Sequence, residues 1–193
     1  MSKKPKKSGI EEYEMLEHFL SKISKLEDLR FFTILAHICA EYYIDKFIKL
    51  EFKNTEELEE VFENSFKKKL IVLKSKGFEY NPDILSILKN LEILNTIRNK
   101  FAHNIFLSEI KETDTDPEQQ SIASLIKNMF LYEDKSETYK RAKEKADNDI
   151  IYKFKIVVKC SIFRLFQLST ERLKEKDKVK RINKLFKESI GFS

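Results

Sequence analysis

The sequence predicts an all-α protein, an antiparallel helical bundle with additional helices. Three observations carry that expectation. Glycine and proline occur three times each in 193 residues, too few for the turns that a sandwich or barrel requires. Apolar residues recur at spacings of three and four through most of the chain, the period of a helix with one buried face. The 16 Phe and 7 Tyr, within 41% hydrophobic residues, supply a core for one domain. The glycine count also excludes a class of function. Gly9, Gly77 and Gly191 cannot assemble a GxGxxG or a GxxxxGK[ST] phosphate loop.

Residues 1–9, with Lys3, Lys4, Lys6 and Lys7, read as a flexible basic tail. No apolar stretch of the kind found in a secretory signal follows them. The helical domain is expected over 10–175. In 10–26, Ile10, Tyr13, Met15, Leu16, Phe19, Leu20 and Ile23 are expected to share one helix face. Residues 28–50 are apolar nearly all round, from Phe31 and Phe32 through Ile38 and Tyr43 to Ile48. That density marks a central helix. Thr55 with Glu56 and Glu57 reads as the start of a helix that runs to about Lys76 and stops at Gly77.

Asn81 and Pro82 cap and open the next helix, which carries Ile84, Leu88, Leu91, Leu94, Ile97 and Phe101. Residues 108–118, acidic and interrupted by Pro117, read as a loop. A helix follows over about 118–131, then a long helical stretch over about 137–175. Residues 176–193 form a separate basic C-terminal helix in this reading.

The net charge is +5, but it is unevenly placed. Acidic residues dominate 106–139, whereas between Lys140 and Lys187 basic residues outnumber acidic ones more than twofold. A basic third of this kind faces either nucleic acid or plain solvent. No apolar run approaches the roughly 20 residues of a membrane span, so no membrane partner is expected and a cytoplasmic location is. Cys39 and Cys160 lie in apolar helical stretches without CxxC spacing and read as buried, reduced thiols.

Three histidines concentrate the chemistry. His18, beside Glu14 and Glu17, reads as a surface residue, and His37, in the most apolar helix, as a satisfied core histidine. No pair has metal-ligand spacing, so neither a metal nor another cofactor is expected. His103 differs. It closes Ile97-Arg98-Asn99-Lys100-Phe101-Ala102-His103, a run that otherwise reads as core. Asn99 and His103 are four apart and stack on one helix face. Arg98 is one step round, and its long side chain can curl over that face.

A guanidinium, a carboxamide and an imidazole that converge suit phosphodiester chemistry. An imidazole titrates near neutral pH and can move protons to or from a ribose 2′-hydroxyl or a leaving oxygen. A guanidinium clamps phosphate oxygens and stabilises charge that develops on them. One histidine does not serve easily as both base and acid. A two-fold dimer that brings two copies of the segment face to face would supply both.

The residues Arg98, Asn99 and His103 resemble the R-x4–6-H signature of HEPN domains, in which the residue after the arginine is typically polar. The wider string from Ile97 to His103 is similar to the IRNxFAH segment of proteins related to the mannitol operon repressor. The resemblance implies a helical bundle that dimerises with both motifs at a shared cleft. It also implies metal-independent endoribonuclease activity that leaves a cyclic phosphate. Arg98, Asn99 and His103 would then be the catalytic residues, Lys100 a contact to the RNA backbone, and RNA, a second copy and an antitoxin or regulatory protein the partners. Toxin and phage-defence roles belong to such proteins. One toxin branch continues the signature to a tyrosine two residues after the histidine, where Ile105 stands here.

Two other readings stay open. Arg98 and Asn99 can cap carbonyls at a helix end while His103 complements the negative terminus. The chain can also be a non-catalytic regulatory or interaction module that binds nucleic acid, nucleotide or a protein. A DNA-binding repressor ranks last, because the turn glycine of a helix-turn-helix is missing. Glu41 and Asp45, acidic residues in the most buried helix, are candidates to pair with Arg98 behind the site, since a buried acid without a partner is costly.

Overall fold

A computed structural model describes residues 9–51, 65–75, 82–104, 117–131 and 137–189. Residues 1–8 of the expected basic tail, Thr55, Gly77, Asn81 and most of the expected acidic loop lie outside them, while Gly9, expected in the tail, opens the first helix. The described residues form seven helices and no strand: α1 (Gly9–Ser24), α2 (Leu29–Glu51), α3 (Phe66–Ser75), α4 (Pro82–His103), α5 (Pro117–Lys127), α6 (Glu137–Asn148) and α7 (Ile150–Ser189). The all-α class is as the sequence predicts.

Helices α2, α4 and α7 pack on one another and enclose the centre. Helix α1 lies against α2 and α7, α3 against α2 and α4, and α5 against α4 and α7, while α6 packs on α7. Phe32, Ile44, Leu91, Leu94, Ile97, Phe154, Val157 and Ile162 are all buried. Phe32 meets Phe154 edge to face at 5.5 Å between ring centres, and Tyr43 meets Phe166 at 5.6 Å. Such aromatic pairs add about 0.5–1.5 kcal/mol each beyond the burial of their surface. One face of α2 is left uncovered: Phe31, Ile34, Ile38 and Tyr42, three and four apart, are exposed.

The helix ends follow from local chemistry. Asp28 caps α2, since its Oδ1 accepts from Arg30 N at 2.8 Å and its carbonyl accepts from Phe32 N. The Arg30 guanidinium grips the same carboxylate at 2.9 Å and, with the Arg30 and Phe31 N–H groups that also donate to it, holds it below the usual aspartate range. Helix α5 begins at Pro117 itself, a proline in the first turn where no N–H is needed, and ends four residues before the expected 131. There Asn90 of α4 takes hold of the chain. Its amide donates to the Phe130 carbonyl and to Ser161 Oγ of α7, and its Oδ1 accepts from Phe130 N.

Two boundaries differ from expectation in the last third. The long helix is interrupted at Asp149, whose Oδ1 accepts from Tyr152 N while its carbonyl accepts from Lys153 N, an N-cap for α7. No boundary occurs near 176. The expected separate C-terminal helix is the last third of α7, continuous to Ser189. The basic character of this region also has structural uses. Lys155 of α7 donates to the carbonyls of Ser24, the last residue of α1, and of Leu26 just beyond it, and Lys153 donates to the Lys127 carbonyl at the end of α5. Both satisfy carbonyls that a helix end leaves orphaned.

Candidate functional site

Helix α4 turns its apolar face to α2 and α7 and a polar face to α3. Between the two helices lies a solvent-open cleft of about 850 Å³. Its α4 side is built from Glu92, Asn95, Thr96, Asn99, Lys100, His103 and Asn104, and its α3 side from Lys67 and Leu70. Asn95, Asn99 and His103 are spaced i, i+4, i+8, so each stands one step above the next, about 6 Å apart along the axis. Lys74 of α3 closes one end through an ion pair to Glu92 at 2.6 Å.

The sequence motif is accessible. His103 is exposed at the last residue of α4, where a basic side chain complements the negative helix end. Arg98 is exposed as well, and its Nη1 donates to Asn99 Oδ1 at 3.0 Å. Asn99, Lys100 and His103 therefore share the cleft, and Arg98 is tied to it through Asn99 without lining it.

The expected pairing of Glu41 and Asp45 with Arg98 is corrected. Both carboxylates belong to Lys69 of α3, whose Nζ lies 3.0 Å from Glu41 Oε1 and 2.8 Å from Asp45 Oδ1. The reason is position: Lys69 is buried against α2, with its side chain 4% exposed. Burial alone pushes the Lys69 ammonium down, but the hydrogen bonds to Asp45 and Glu41 outweigh it and hold it above the ordinary lysine value. The clasp fixes α3, and with it the Lys67 and Leu70 wall, on α2.

His37 is buried, as expected of a core histidine, and it is satisfied by the cleft. Its Nε2 lies 3.1 Å from Asn95 Oδ1, and the Phe66 ring of α3 covers it at 4.1 Å. Burial pushes this imidazole below its ordinary value, against the opposing effect of the Asn95 bond; Glu41, Arg98 and Lys69 act on it through space.

Asn95 and Lys67 are site residues that the motif did not announce. The continuation of the i, i+4 ladder upstream from Asn99 points to Asn95. Nothing local points to Lys67, which reaches the site from another helix. Cys39 and Cys160 are half-buried free thiols outside the cleft; burial pushes Cys39 up to about 12 and raises Cys160. Among the described residues no group of histidine, cysteine and carboxylate side chains is arranged to hold a metal ion, and no helix is long and apolar enough to cross a membrane. Comparison with family models, curated proteins and solved structures finds no match.

Proposed function

We propose that the protein is a metal-independent endoribonuclease of the HEPN type, which cuts single-stranded RNA in the α3–α4 cleft and works as a homodimer. The observation that carries this reading is the joint presence of Asn99, Lys100 and His103 in one open cleft, with Arg98 held against Asn99. In the proposed step His103 takes the proton of a ribose 2′-hydroxyl. The 2′-oxygen attacks the adjacent phosphorus, and the bond to the 5′-oxygen breaks. Arg98 binds the non-bridging phosphate oxygens and stabilises the charge that builds on them. Asn99 orients Arg98, and Lys67 and Lys100 hold neighbouring phosphates.

The departing 5′-oxygen needs a proton from a second group. A second protomer's copy of His103 fills that role in a two-fold dimer. The uncovered apolar row on α2 supports self-association, because contiguous exposed apolar surface marks interaction sites. A toxin or phage-defence role, with an antitoxin or regulatory partner in the cytoplasm, belongs to the same proposal and rests on the motif resemblance.

The test is cleavage of a defined RNA in EDTA by wild type, Arg98→Ala and His103→Ala. Cleavage by the wild type alone, with a cyclic phosphate on the product, is the expected result. An inactive wild type, or three equally active proteins, would end the catalytic reading. One observation favours the alternative of binding without turnover: Arg98 is bonded to Asn99 and does not line the cleft. That alternative predicts RNA binding that survives His103→Ala, with no product from any variant.

A further inference from the structure

We infer that Asn95 is a further phosphate-contacting residue of the cleft, and that buried His37 is its positioning residue, setting the Asn95 carboxamide with its NH₂ toward the bound strand. The inference rests on the reading of the cleft as an RNA site and extends it by one rung. Asn95 lines the cleft, is half-buried, and stands one step above Asn99 on the same face of α4. The rise of about 6 Å between rungs is on the scale of the spacing between successive phosphates in a single strand. A strand whose scissile phosphate lies at Asn99 and His103 thus brings its neighbouring phosphate to Asn95.

The direction of the amide decides what it can recognise. Its Oδ1 lies 3.1 Å from His37 Nε2. A carbonyl oxygen only accepts, so Nε2 carries the hydrogen and donates it. In the proposed arrangement Nδ2, on the other branch of the amide, is the donor offered to the cleft that Asn95 lines. His37 cannot easily turn, because it is 8% exposed and stacked on Phe66. Burial also disfavours its charged form, which leaves a neutral ring with a single N–H to give. The opposite amide orientation would present a carbonyl oxygen to the strand and repel phosphate.

The experiment uses the full chain and a single-stranded RNA oligomer methylated at every 2′-oxygen, which cannot be cut. Affinity is read by fluorescence anisotropy over a salt series, with folding of each variant checked by circular dichroism. Asn95→Ala is expected to weaken binding about tenfold at each salt concentration. The slope against salt stays unchanged, since a neutral donor releases no counterion. Lys100→Ala lowers that slope by about 0.7. Asn95→Asp binds more weakly than Asn95→Ala. His37→Leu weakens binding as Asn95→Ala does, the double variant is no worse than either, and His37→Gln, which restores a donor, recovers affinity.

Tolerance of Asn95→Asp, or unchanged affinity in Asn95→Ala, would overturn the inference, and Asn95→Ala decides it even where His37→Leu does not fold. A long-range nitrogen–proton correlation spectrum of His37 gives an answer without RNA. The expected tautomer carries hydrogen on Nε2, and hydrogen on Nδ1 alone would overturn the positioning role. Failure to cut RNA, with Asn95-dependent binding retained, sinks the nuclease reading and supports the inference. A wild type that binds no RNA sinks both.

Discussion

Replacement of Lys69 by methionine tests whether the α2–α3 clasp holds the cleft together. Methionine keeps most of the buried stem and removes the ammonium that faces Glu41 and Asp45. Loss of one partner of a buried ion pair costs about 3–5 kcal/mol, whereas exposed pairs are worth about 0–1 kcal/mol. The lysine side chain is 4% exposed, but the carboxylates left behind are 36% and 28% exposed and can take up water. The cost therefore falls between the two limits, at about 2 kcal/mol. At roughly 2–4 °C per kcal/mol for a chain of this size, thermal unfolding followed by circular dichroism should show a midpoint about 4–8 °C lower.

The triple variant Lys69→Met, Glu41→Gln, Asp45→Asn removes the stranded charges and should recover to within about 1 kcal/mol of wild type. The pH dependence has a definite sign. Because the folded-state value of Lys69 is raised, its stabilisation is fully present at neutral pH. It disappears as pH climbs through that raised value, where wild type and Lys69→Met should converge. A single variant as stable as wild type, or a triple variant no better than the single, would refute the reasoning.

Four other outcomes are expected. Asn90→Leu strands the Phe130 N–H and carbonyl and should cost about 2–3 kcal/mol in urea unfolding. Asp28→Ala removes the α2 cap and should cost about 1 kcal/mol, measured the same way. His37, whose folded-state value lies below its ordinary 6.5, contributes stability that is full above that pH and declines as pH falls below it. A melting series from pH 8 downward should lose more in wild type than in His37→Gln, where Glu41, Lys69 and Arg98 remain the neighbouring charges. If the proposed homodimer forms, Ile38→Glu, in the uncovered row on α2, should shift its sedimentation profile to that of a monomer without a loss of helix.

Periodicity made α1 and α4 legible, because each buries one continuous stripe, whereas α2 was legible from apolar density all round, although Phe31, Ile34, Ile38 and Tyr42 on one side of it are exposed. Pro82 marked the start of α4 for the same reason that Pro117 opens α5: a first helical residue needs no N–H. The break at Asp149 was not legible. The backbone ladder passes through it, from Asp149 N to the Lys145 carbonyl and from Lys153 N to its own. An Asp and Asn pair here has the composition of any solvated face. Conversely, nothing in the sequence near 176 carries a stop, and α7 does not stop there.

At the site, Asn99 and His103 could be paired from their spacing alone. The partner of Glu41 and Asp45 could not. Lys67, Lys68 and Lys69 are identical in sequence, and only the angle of each around α3 sends Lys67 to the cleft and Lys69 into the interior. The basic surplus of the last third likewise divides by position. Lys153 and Lys155 serve the ends of α5 and α1, and so are less available to a polyanion than the composition suggests.

Helix α7 is 40 residues long, about 60 Å from end to end at 1.5 Å per residue. A chain of 193 residues drawn into a sphere would have a radius of gyration of about 16 Å and a diameter near 40 Å. The rod is longer than that sphere is wide, so the protomer's outline is elongated. Small-angle scattering should record a greatest dimension of at least about 60 Å, and tumbling in solution should be slower than the mass alone dictates.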